Sequence, residues 1–218
     1  MALDFVAVQN RNRMTEPGMK RTDAEARRQQ IVDAASACAR RSGFHGASMA
    51  EIAQTAGLSV GQIYRYFENK EAIIAAIVAR NTAEMRDIFT EMQDAGEAIL
   101  DVVLEKCATA VDDAYDRDRS ALMLEVVAEA ARNPAVAAIV QAADDEERRM
   151  KLELIDRTLP AGCDPGERLA RSEVISMLFD GMVVRGVNNP GADRQAIARV
   201  LRPVMRQLLA GPLDDPKT

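Results

Sequence analysis

The stretch SVGQIYRYFENK, residues 59–70, concentrates side chains that can recognise nucleic acid. Two of the three tyrosines of the chain, Tyr64 and Tyr66, flank Arg65 there. An arginine can donate two hydrogen bonds to a guanine edge, and a tyrosine hydroxyl can reach a backbone phosphate. The same residues could instead form the core of a short helix, so the face on which they lie decides between the two interpretations.

Helical geometry predicts that the tyrosines lie outside the core. At 100° per residue, Ile63 and Phe67 lie within about 40° of each other and mark the buried side of a helix. Arg65 and Gly61 then point the opposite way, and Gln62 and the two tyrosines lie on the flanks. Glutamine and arginine can pair with adenine and guanine edges, and a glycine lets the backbone come close. This outer face predicts contact with the DNA major groove.

Lys70 adds a second feature that suits a phosphate. Asn69 is the predicted N-cap of the following helix, which places Lys70 in its first turn, where the helix dipole disfavours a cation. A phosphate bound at the helix start could accept from the backbone amides and pair with Lys70. Taken alone, a solvated lysine is the simpler explanation, and the neighbouring tyrosines favour the phosphate.

Local signals predict the helices that position these residues. Thr22 and Glu25, in the sequence TDAE, have capping-box spacing and predict the start of the first helix. The sequence SMAE beginning at Ser48 predicts a second start, and Gly57 breaks that helix shortly before Ser59 caps the third. Two short helices joined by so tight a turn are typical of a helix-turn-helix.

The run from Gly46 to Val78, GASMAEIAQTAGLSVGQIYRYFENKEAIIAAIV, resembles the N-terminal domain of TetR-type bacterial transcriptional regulators. The matching positions are Ser48, Ile52, Ala53, Ala56, Gly57, Ser59, Gly61, Tyr64, Tyr66, Phe67, Lys70 and Glu71. The resemblance implies that Ser48, Ser59, Tyr64, Tyr66 and Lys70 contact phosphates, and that Val60, Gln62 and Arg65 lie nearest the bases. Tyr66 stands where histidine is also common, and Ser48 stands where threonine is usual. Both keep a polar group there, so the role is retained and the geometry can shift.

Charge is divided between the two parts of the chain. The net charge of the 218 residues is −6, yet residues 1–80 hold 11 Lys and Arg against 8 Asp and Glu, whereas residues 81–218 hold 17 against 26. A basic N-terminal module on an acidic body can still bind a phosphate backbone locally. With 48% apolar residues, no apolar run near the ~20 residues of a membrane span and no signal-peptide pattern, the chain is predicted to be a cytoplasmic globular protein.

The residues that usually carry catalysis and metal binding are sparse. His45 is the single histidine, and no Cys, Asp or Glu stands at ligand spacing from it. Cys38, Cys107 and Cys163 are widely spaced and are interpreted as reduced thiols. The sequence therefore predicts no metal, no cofactor and no enzymatic activity. The acidic run at residues 144–149 could be a cation site, but Asp144–Arg148 and Asp145–Arg149 ion pairs on a solvated helix explain it more simply.

Apolar spacing after residue 80 is helical throughout, so the fold class is predicted to be all-α. The later helices are predicted at 69–92, 96–115, 119–132, 134–159, 165–187 and 193–210. In TetR-like proteins the body holds an effector pocket, and its last two long helices form the dimer. Inward-facing candidates for the pocket are Cys107, Val111, Met123, Val127 and Met177; these could equally be core residues. The candidates for the dimer interface are Leu178, Met182, Val183, Ile197, Leu201, Val204 and Leu208.

The predicted organisation is a flexible extension at 1–21, a three-helix helix-turn-helix DNA-binding domain at 22–80, and a helical-bundle effector-binding and dimerisation domain at 81–218, joined by a long helix. Residues 1–21 could be a frayed tail or an arm that contacts DNA. The function predicted is a homodimeric repressor released from a palindromic operator by a small, largely apolar effector. Two alternatives remain: a ligand-independent DNA-binding dimer whose body only dimerises or binds a protein, and an enzyme, which the lack of a nucleophile–base pair disfavours.

Overall fold

The computed structural model describes residues 16–159 and 163–212, and these form an all-α protein. Within those ranges there are nine α-helices and one 3-10 turn at Gly96–Ala98. The helices are α1 Glu16–Gly46, α2 Met49–Thr55, α3 Val60–Ile63, α4 Lys70–Asp94, α5 Ile99–Ala114, α6 Arg117–Ala130, α7 Pro134–Thr158, α8 Pro165–Asn188 and α9 Arg194–Ala210. None of the described helices is long and apolar enough to cross a membrane.

The later helices begin where the sequence predicts because their capping residues act as caps. Asn133, Asp164 and Asp193 each accept a backbone N–H of the first turn of α7, α8 and α9 with their side chains. Proline follows at the start of α7 and of α8, where its fixed φ suits the first turn. The bounds of α7, α8 and α9 are therefore predicted to within one residue.

The predicted start of the first helix is wrong. α1 begins at Glu16, and Thr22 lies inside it. A capping-box pattern is a local signal that does not stop a helix from running through it, and Pro17 falls in the first turn, where proline is tolerated. Of the predicted extension 1–21, residues 16–21 are helical. Residues 1–15, including any arm they would form, lie outside the described part of the chain.

Gly43 turns the chain near the end of the long first helix. Its φ is +70°, which glycine adopts without the cost that a side chain would impose, and α1 kinks there. The carbonyl of Gly43 then accepts a hydrogen bond from the N–H of Ala47 at 3.0 Å. Phe44 follows directly and is 1% exposed, so the turn is fastened into the core.

The first four helices share one hydrophobic core, which extends into the body. Its buried members from α1 to α4 include Ile31, Ala35, Cys38, Ile52, Ala53, Ile63, Phe67, Ile73 and Ile77. Leu122 and Val126 of α6 and Val136 of α7 belong to the same cluster. The N-terminal unit is thus packed directly on α6 and α7 as well as joined to the body by α4.

A second core fills the body. It is built from Phe89 of α4, from α5 side chains such as Leu104 and Val111, and from Ile155, Ile175 and Met205 of the last three helices. α5 lies along α9, and α4 lies along α7. The long α4 therefore contributes to both cores.

Gly186 lets α8 approach the end of α5. A Cβ added at Gly186 would lie 2.5 Å from the carbonyl oxygen of Ala114 and 3.1 Å from the Cα of Tyr115. Both are backbone atoms that cannot rotate away. This crossing is only possible with a residue that has no side chain.

Arg171 of α8 holds the end of α9 and is 2% exposed. Its guanidinium donates to the carbonyl oxygens of Gln207, Leu208 and Gly211 at 3.0, 2.8 and 2.8 Å. An ion pair with Glu167 at 2.5 Å balances its charge. The last carbonyls of a helix have no partner within the helix, so Arg171 supplies the donors that α9 lacks.

Candidate nucleic-acid interface

The interface is built from α2, a tight turn and α3. Ser48 Oγ accepts from the N–H of Glu51 at 3.1 Å, and Ser59 Oγ accepts from the N–H of Gln62 at 3.2 Å, so both predicted caps are confirmed. Gly57 sits in the turn with φ +65°. Each serine accepts with an oxygen lone pair, so its O–H proton can still be donated outward. Both serines are exposed.

Two residues of α1 hold this unit in place, and sequence reasoning missed both. Arg28 Nη1 donates to the carbonyl oxygen of Tyr66 at 2.7 Å, and its guanidinium carbon lies 4.3 Å from the centre of the Phe67 ring. Gln30 Nε2 donates to the carbonyl oxygen of Ala56 at 2.7 Å. These partners are 38 and 26 residues away along the chain, so no local sequence pattern predicts the two hydrogen bonds.

The predicted buried and exposed sides of the segment 60–67 are confirmed, but α3 itself ends at Ile63, so the expected helix does not continue to Phe67. Ile63 and Phe67 are 0% and 2% exposed and anchor the segment on the N-terminal core. Tyr66 differs from its expected place, because it is half-buried against that core. The exposed side of the segment carries Val60, Gly61, Gln62, Tyr64 and Arg65.

Gln62 closes a capping box with Ser59. The backbone N–H of Ser59 donates to Gln62 Oε1 at 2.8 Å, while Ser59 Oγ accepts from the backbone N–H of Gln62. A backbone N–H can only donate, so the atom of the Gln62 amide that faces it must be the oxygen. The Nε2 amino group is turned away from the box. α3 has only four residues, so this box is a large part of what fixes its first turn.

Lys70 is engaged within the chain. Asn69 Oδ1 caps α4 by accepting from the N–H of Ala72 at 2.7 Å, as predicted. The Lys70 ammonium donates to the carbonyl oxygen of Phe44 at 2.6 Å, across the turn that ends α1. A carbonyl therefore offsets the unfavourable position of this cation in the first turn, a role that the sequence assigned to a phosphate. An ammonium has three donors, so the contact leaves capacity for another acceptor.

Glu51, the acidic residue in the first turn after Ser48, forms an ion pair. Glu51, in the first turn of α2, pairs with Arg41 of α1 at 2.5 Å. The hydrogen bond that Arg41 donates to Glu51 raises the pKa of Arg41. The carboxylate therefore opposes an approaching phosphate less than an unpaired one would.

Comparisons with known families and proteins agree with this geometry. A family model described as bacterial regulatory proteins, tetR family, matches residues 31–77. A second model, described as the C-terminal part of BetI-type transcriptional repressors, matches residues 97–210, which is more than half of the chain.

The chain belongs to the TetR family of bacterial regulatory proteins.

Relatives and solved structures extend this finding. The TetR-family chain is 33% identical over 120 residues to the transcriptional regulator UidR of Escherichia coli K12, which is 55% of this chain and 60% of UidR. It thus spans less than two thirds of the length of that relative. The repressor AcnR of Corynebacterium diphtheriae is 31% identical over 75 residues, or 34% of this chain and 40% of AcnR. The structure of Salmonella enterica GusR superposes with a TM-score of 0.72 at 24% identity, covering 91% of this chain and 99% of GusR, and shows the same fold.

The predicted pocket residues do not lie together in the interior. Cys107 and Val111 of α5 are 2% and 0% exposed and belong to the body core, and burial raises the pKa of the Cys107 thiol. Met123, Val127 and Met177 are 41%, 53% and 61% exposed, so the prediction that they face inward is wrong. Helices α6 and α8 carry apolar residues on more than one face, and the sequence does not show which face meets the core.

The predicted dimer residues are also placed differently. Leu201 is 7% exposed inside the body core, so it has no surface for a partner. Leu178 is half-buried, and Val204 is exposed. The half-buried side chains that pack against the body core are Met182, Val183, Ile197 and Leu208. The exposed large apolar side chains of these two helices are Leu169, Val174, Met177, Val184 and Val187 on α8 and Val200 and Val204 on α9.

The acidic run on α7 forms ion pairs. Arg148 contacts Asp144 at 2.5 Å, as predicted, whereas Asp145 pairs with Arg148 at 3.0 Å and not with Arg149 as predicted. In the part of the chain that the structure describes, no three His, Cys, Asp or Glu side chains are grouped to hold a metal ion.

The corner between α6 and α7 touches the DNA-binding unit. Asn133 Nδ2 donates to the Glu71 carboxylate, in the first turn of α4, at 3.1 Å. The Glu125 carboxylate of α6 lies against Gly43, where an added Cβ would be 2.9 Å from its Oε2. This contact joins residues 62 positions apart, so no local sequence pattern predicts it.

Proposed function

We propose that this chain is a homodimeric, cytoplasmic transcriptional repressor that binds a palindromic DNA operator and leaves it when a small molecule binds the body. The observation that carries the proposal is the exposed side of α3 and of the turn that follows it, residues 60–65. Gln62, Tyr64 and Arg65 point outward there because Ile63 and Phe67 anchor the segment in the core. Hydrogen-bonding side chains on a short exposed helix after a tight turn suit the major groove.

The contacts divide into two kinds. Val60, Gln62 and Arg65 approach base edges and give specificity. The groups that contact phosphates and fix the register are Ser48, Ser59, Tyr64, Tyr66 and Lys70. Ser48 and Ser59 keep a free O–H proton for this purpose, and Lys70 keeps donors beyond the one given to Phe44. Tyr66 contributes less surface than Tyr64 because it is half-buried.

A second copy of the chain covers the exposed apolar faces of α8 and α9. Met177 is 61% exposed and Val200 is 67% exposed, and several valines lie beside them on these two helices. Contiguous apolar surface of this kind marks an interaction site. Two copies related by a two-fold axis present two α3 segments, so the operator has inverted half-sites about one DNA turn apart.

The effector is a largely apolar small molecule that binds among the helices of the body. Met205 is buried in the body core, and the methionines packed against that core are Met85 and Met92 of α4, Met150 of α7 and Met182 of α8. Flexible thioether side chains can rearrange around a ligand more easily than branched ones. Because aromatic residues make up only 4% of the chain, methionines are the main side chains that could adapt to a ligand in such a pocket.

α4 transmits binding to the DNA-contacting unit. Its first residue, Lys70, meets the end of α1, and Phe89, about five turns of helix further along, lies in the body core. A ligand that tilts α4 changes the separation of the two α3 segments in the dimer, and a shift of a few ångströms breaks the fit to one half-site. Linkage then requires that the operator weaken the effector by the factor with which the effector weakens the operator, typically 5–150-fold.

The test begins with selection of DNA from a random pool by the full-length protein, followed by footprinting. We expect an enriched sequence with dyad symmetry, protected by a dimer. Candidate apolar ligands are then screened for release of that sequence, and both affinities are measured with and without the other partner. Failure to enrich any sequence would refute the DNA-binding proposal. Equal effector affinity for free and operator-bound dimer would favour the ligand-independent alternative.

A further inference from the structure

The capping box of α3 limits what Gln62 can recognise. A free glutamine amide can pair with adenine by accepting from N6 and donating to N7. Here one of the two lone pairs of Oε1 accepts from the N–H of Ser59 at 2.8 Å, which holds the oxygen against the capping box. The Nε2 amino group is the end that can reach a base, and it only donates.

We propose that Gln62 acts on DNA as a donor only, and that the base it contacts in each half-site is guanine, with thymine as the second choice, rather than adenine. Guanine offers two adjacent acceptors, O6 and N7, to an amino group in the major groove. Thymine offers O4. Adenine places its N6 donor beside N7, so an amino group facing adenine meets a donor next to the acceptor. This inference rests on the proposed DNA-binding function.

The box stays closed in the complex because opening it has a structural cost. The N–H of Ser59 would lose its acceptor at the start of a four-residue helix, at an interface from which DNA displaces water. A donor-only contact to guanine keeps every hydrogen bond of the box. A two-bond contact to adenine needs Oε1 and Nε2 side by side against the base, which would turn Oε1 away from the N–H of Ser59.

The other two base-facing residues have the same character. Arg65 is exposed and its guanidinium has donors only, while Val60, 38% exposed, offers an apolar surface. With Gln62 Oε1 held in the capping box, Gln62 and Arg65 present hydrogen-bond donors to the DNA and Val60 presents methyl groups. Their complement is guanine for the donors and the thymine methyl group for the valine. The contacted edge of each half-site is therefore rich in guanine and thymine.

A substitution that keeps the cap and reverses the hydrogen-bonding character tests the proposal. In Gln62→Glu, one carboxylate oxygen can still accept from Ser59, since glutamate is a common partner in capping boxes. The other oxygen faces the DNA as an acceptor. Gln62→Ala removes both functions and identifies the base position that depends on this side chain. Base preferences at that position are compared within each variant, so losses of fold or of overall affinity cancel.

We expect the wild-type protein to select guanine or thymine at the position that depends on Gln62, and Gln62→Glu to select cytosine or adenine, with relative affinities changed on the order of tenfold. Selection of adenine by the wild type, or an unchanged preference in Gln62→Glu, would overturn the proposal. If no DNA sequence is enriched by the wild-type protein, the proposed function fails instead.

A probe in the DNA makes the test independent of any protein variant. Replacing the predicted guanine by 7-deazaguanine removes the N7 acceptor and leaves the base pair intact. We expect the wild-type protein to bind the modified operator several-fold more weakly, whereas the same replacement at a guanine outside the half-sites has no effect. Equal affinity for the modified and unmodified half-site would contradict the donor-only contact.

Discussion

Lys70 can stabilise the fold and also keep donors for the proposed contact with a DNA phosphate. Its ammonium ties the start of α4 to the Phe44 carbonyl at 2.6 Å, and its remaining donors can meet a phosphate. The sequence predicted its position after the Asn69 cap, and that cap is confirmed. The carbonyl partner lies 26 residues away, so it could be found only from the structure.

Lys70→Ala and Arg65→Ala should separate the two kinds of DNA contact. Loss of Lys70 should weaken operator and random DNA alike and lower the slope of log affinity against log salt by about one. Loss of Arg65 should cost about 1–3 kcal/mol on the operator and leave random DNA nearly unchanged. Fluorescence anisotropy at several salt concentrations measures both. An unchanged operator preference in Arg65→Ala would show that α3 does not read bases.

The helices themselves were largely predictable from local signals, whereas their orientation was not. Caps, prolines and glycines are read over a few residues, and these fixed the bounds of α7 to α9. On α8, however, Met182 packs against the core while Met177 is exposed. Core-facing and surface-facing apolar stripes have the same composition, so the sequence cannot distinguish them. For this reason the sequence predicts Met177 in a buried pocket, although it is exposed, and Leu201 in the dimer interface, although it is buried.

Gly186→Ala should destabilise the protein by about 1–3 kcal/mol, because the new methyl group would lie 2.5 Å from the Ala114 carbonyl oxygen. Chemical unfolding at one protein concentration measures the difference. Gly181→Ala, on the same helix, is the matched control. Nothing lies within 4 Å of its Cβ position, so this change should stabilise by about 0.5–1 kcal/mol through helix propensity. Equal stabilities of the two variants would show that α8 does not approach α5 so closely.

Glu147→Gln should raise the melting temperature at pH 7. Burial raises the pKa of Glu147, with Asp144, Asp180 and Glu146 adding to the rise and Lys151 only partly offsetting it. The folded state therefore binds this proton more tightly than the unfolded state, and stability falls as pH rises from about 4.3, the ordinary glutamate value, through the raised pKa. The advantage of glutamine should vanish below about pH 4. Thermal scans across pH test this, and a lower melting temperature at pH 7 would contradict it.

For the molecule as a whole, the proposed interface between two copies is formed by the exposed apolar faces of α8 and α9. Val204→Asp would place a charge in the proposed two-fold interface, where it loses hydration without a partner. We expect this variant to sediment as a monomer at micromolar concentration, while the wild type sediments as a dimer. Val127→Asp is the control, since Val127 is 53% exposed but lies on α6, which is not one of the two helices of the proposed interface. A dimer in both variants would place the interface elsewhere.

The shared core of the N-terminal unit has a consequence for how such regulators can exchange parts. Leu122, Val126 and Val136 complete the core that begins with Ile31, so the surface beneath the DNA-binding unit belongs to a segment far along the chain. A chimera that joins a foreign N-terminal unit to this body at residue 80 would pack that unit against Leu122, Val126 and Val136, which do not match its core. Recombination between relatives is therefore expected to succeed when the contact residues of α6 and α7 are exchanged together with the N-terminal unit. A new operator specificity should then evolve together with these contact residues.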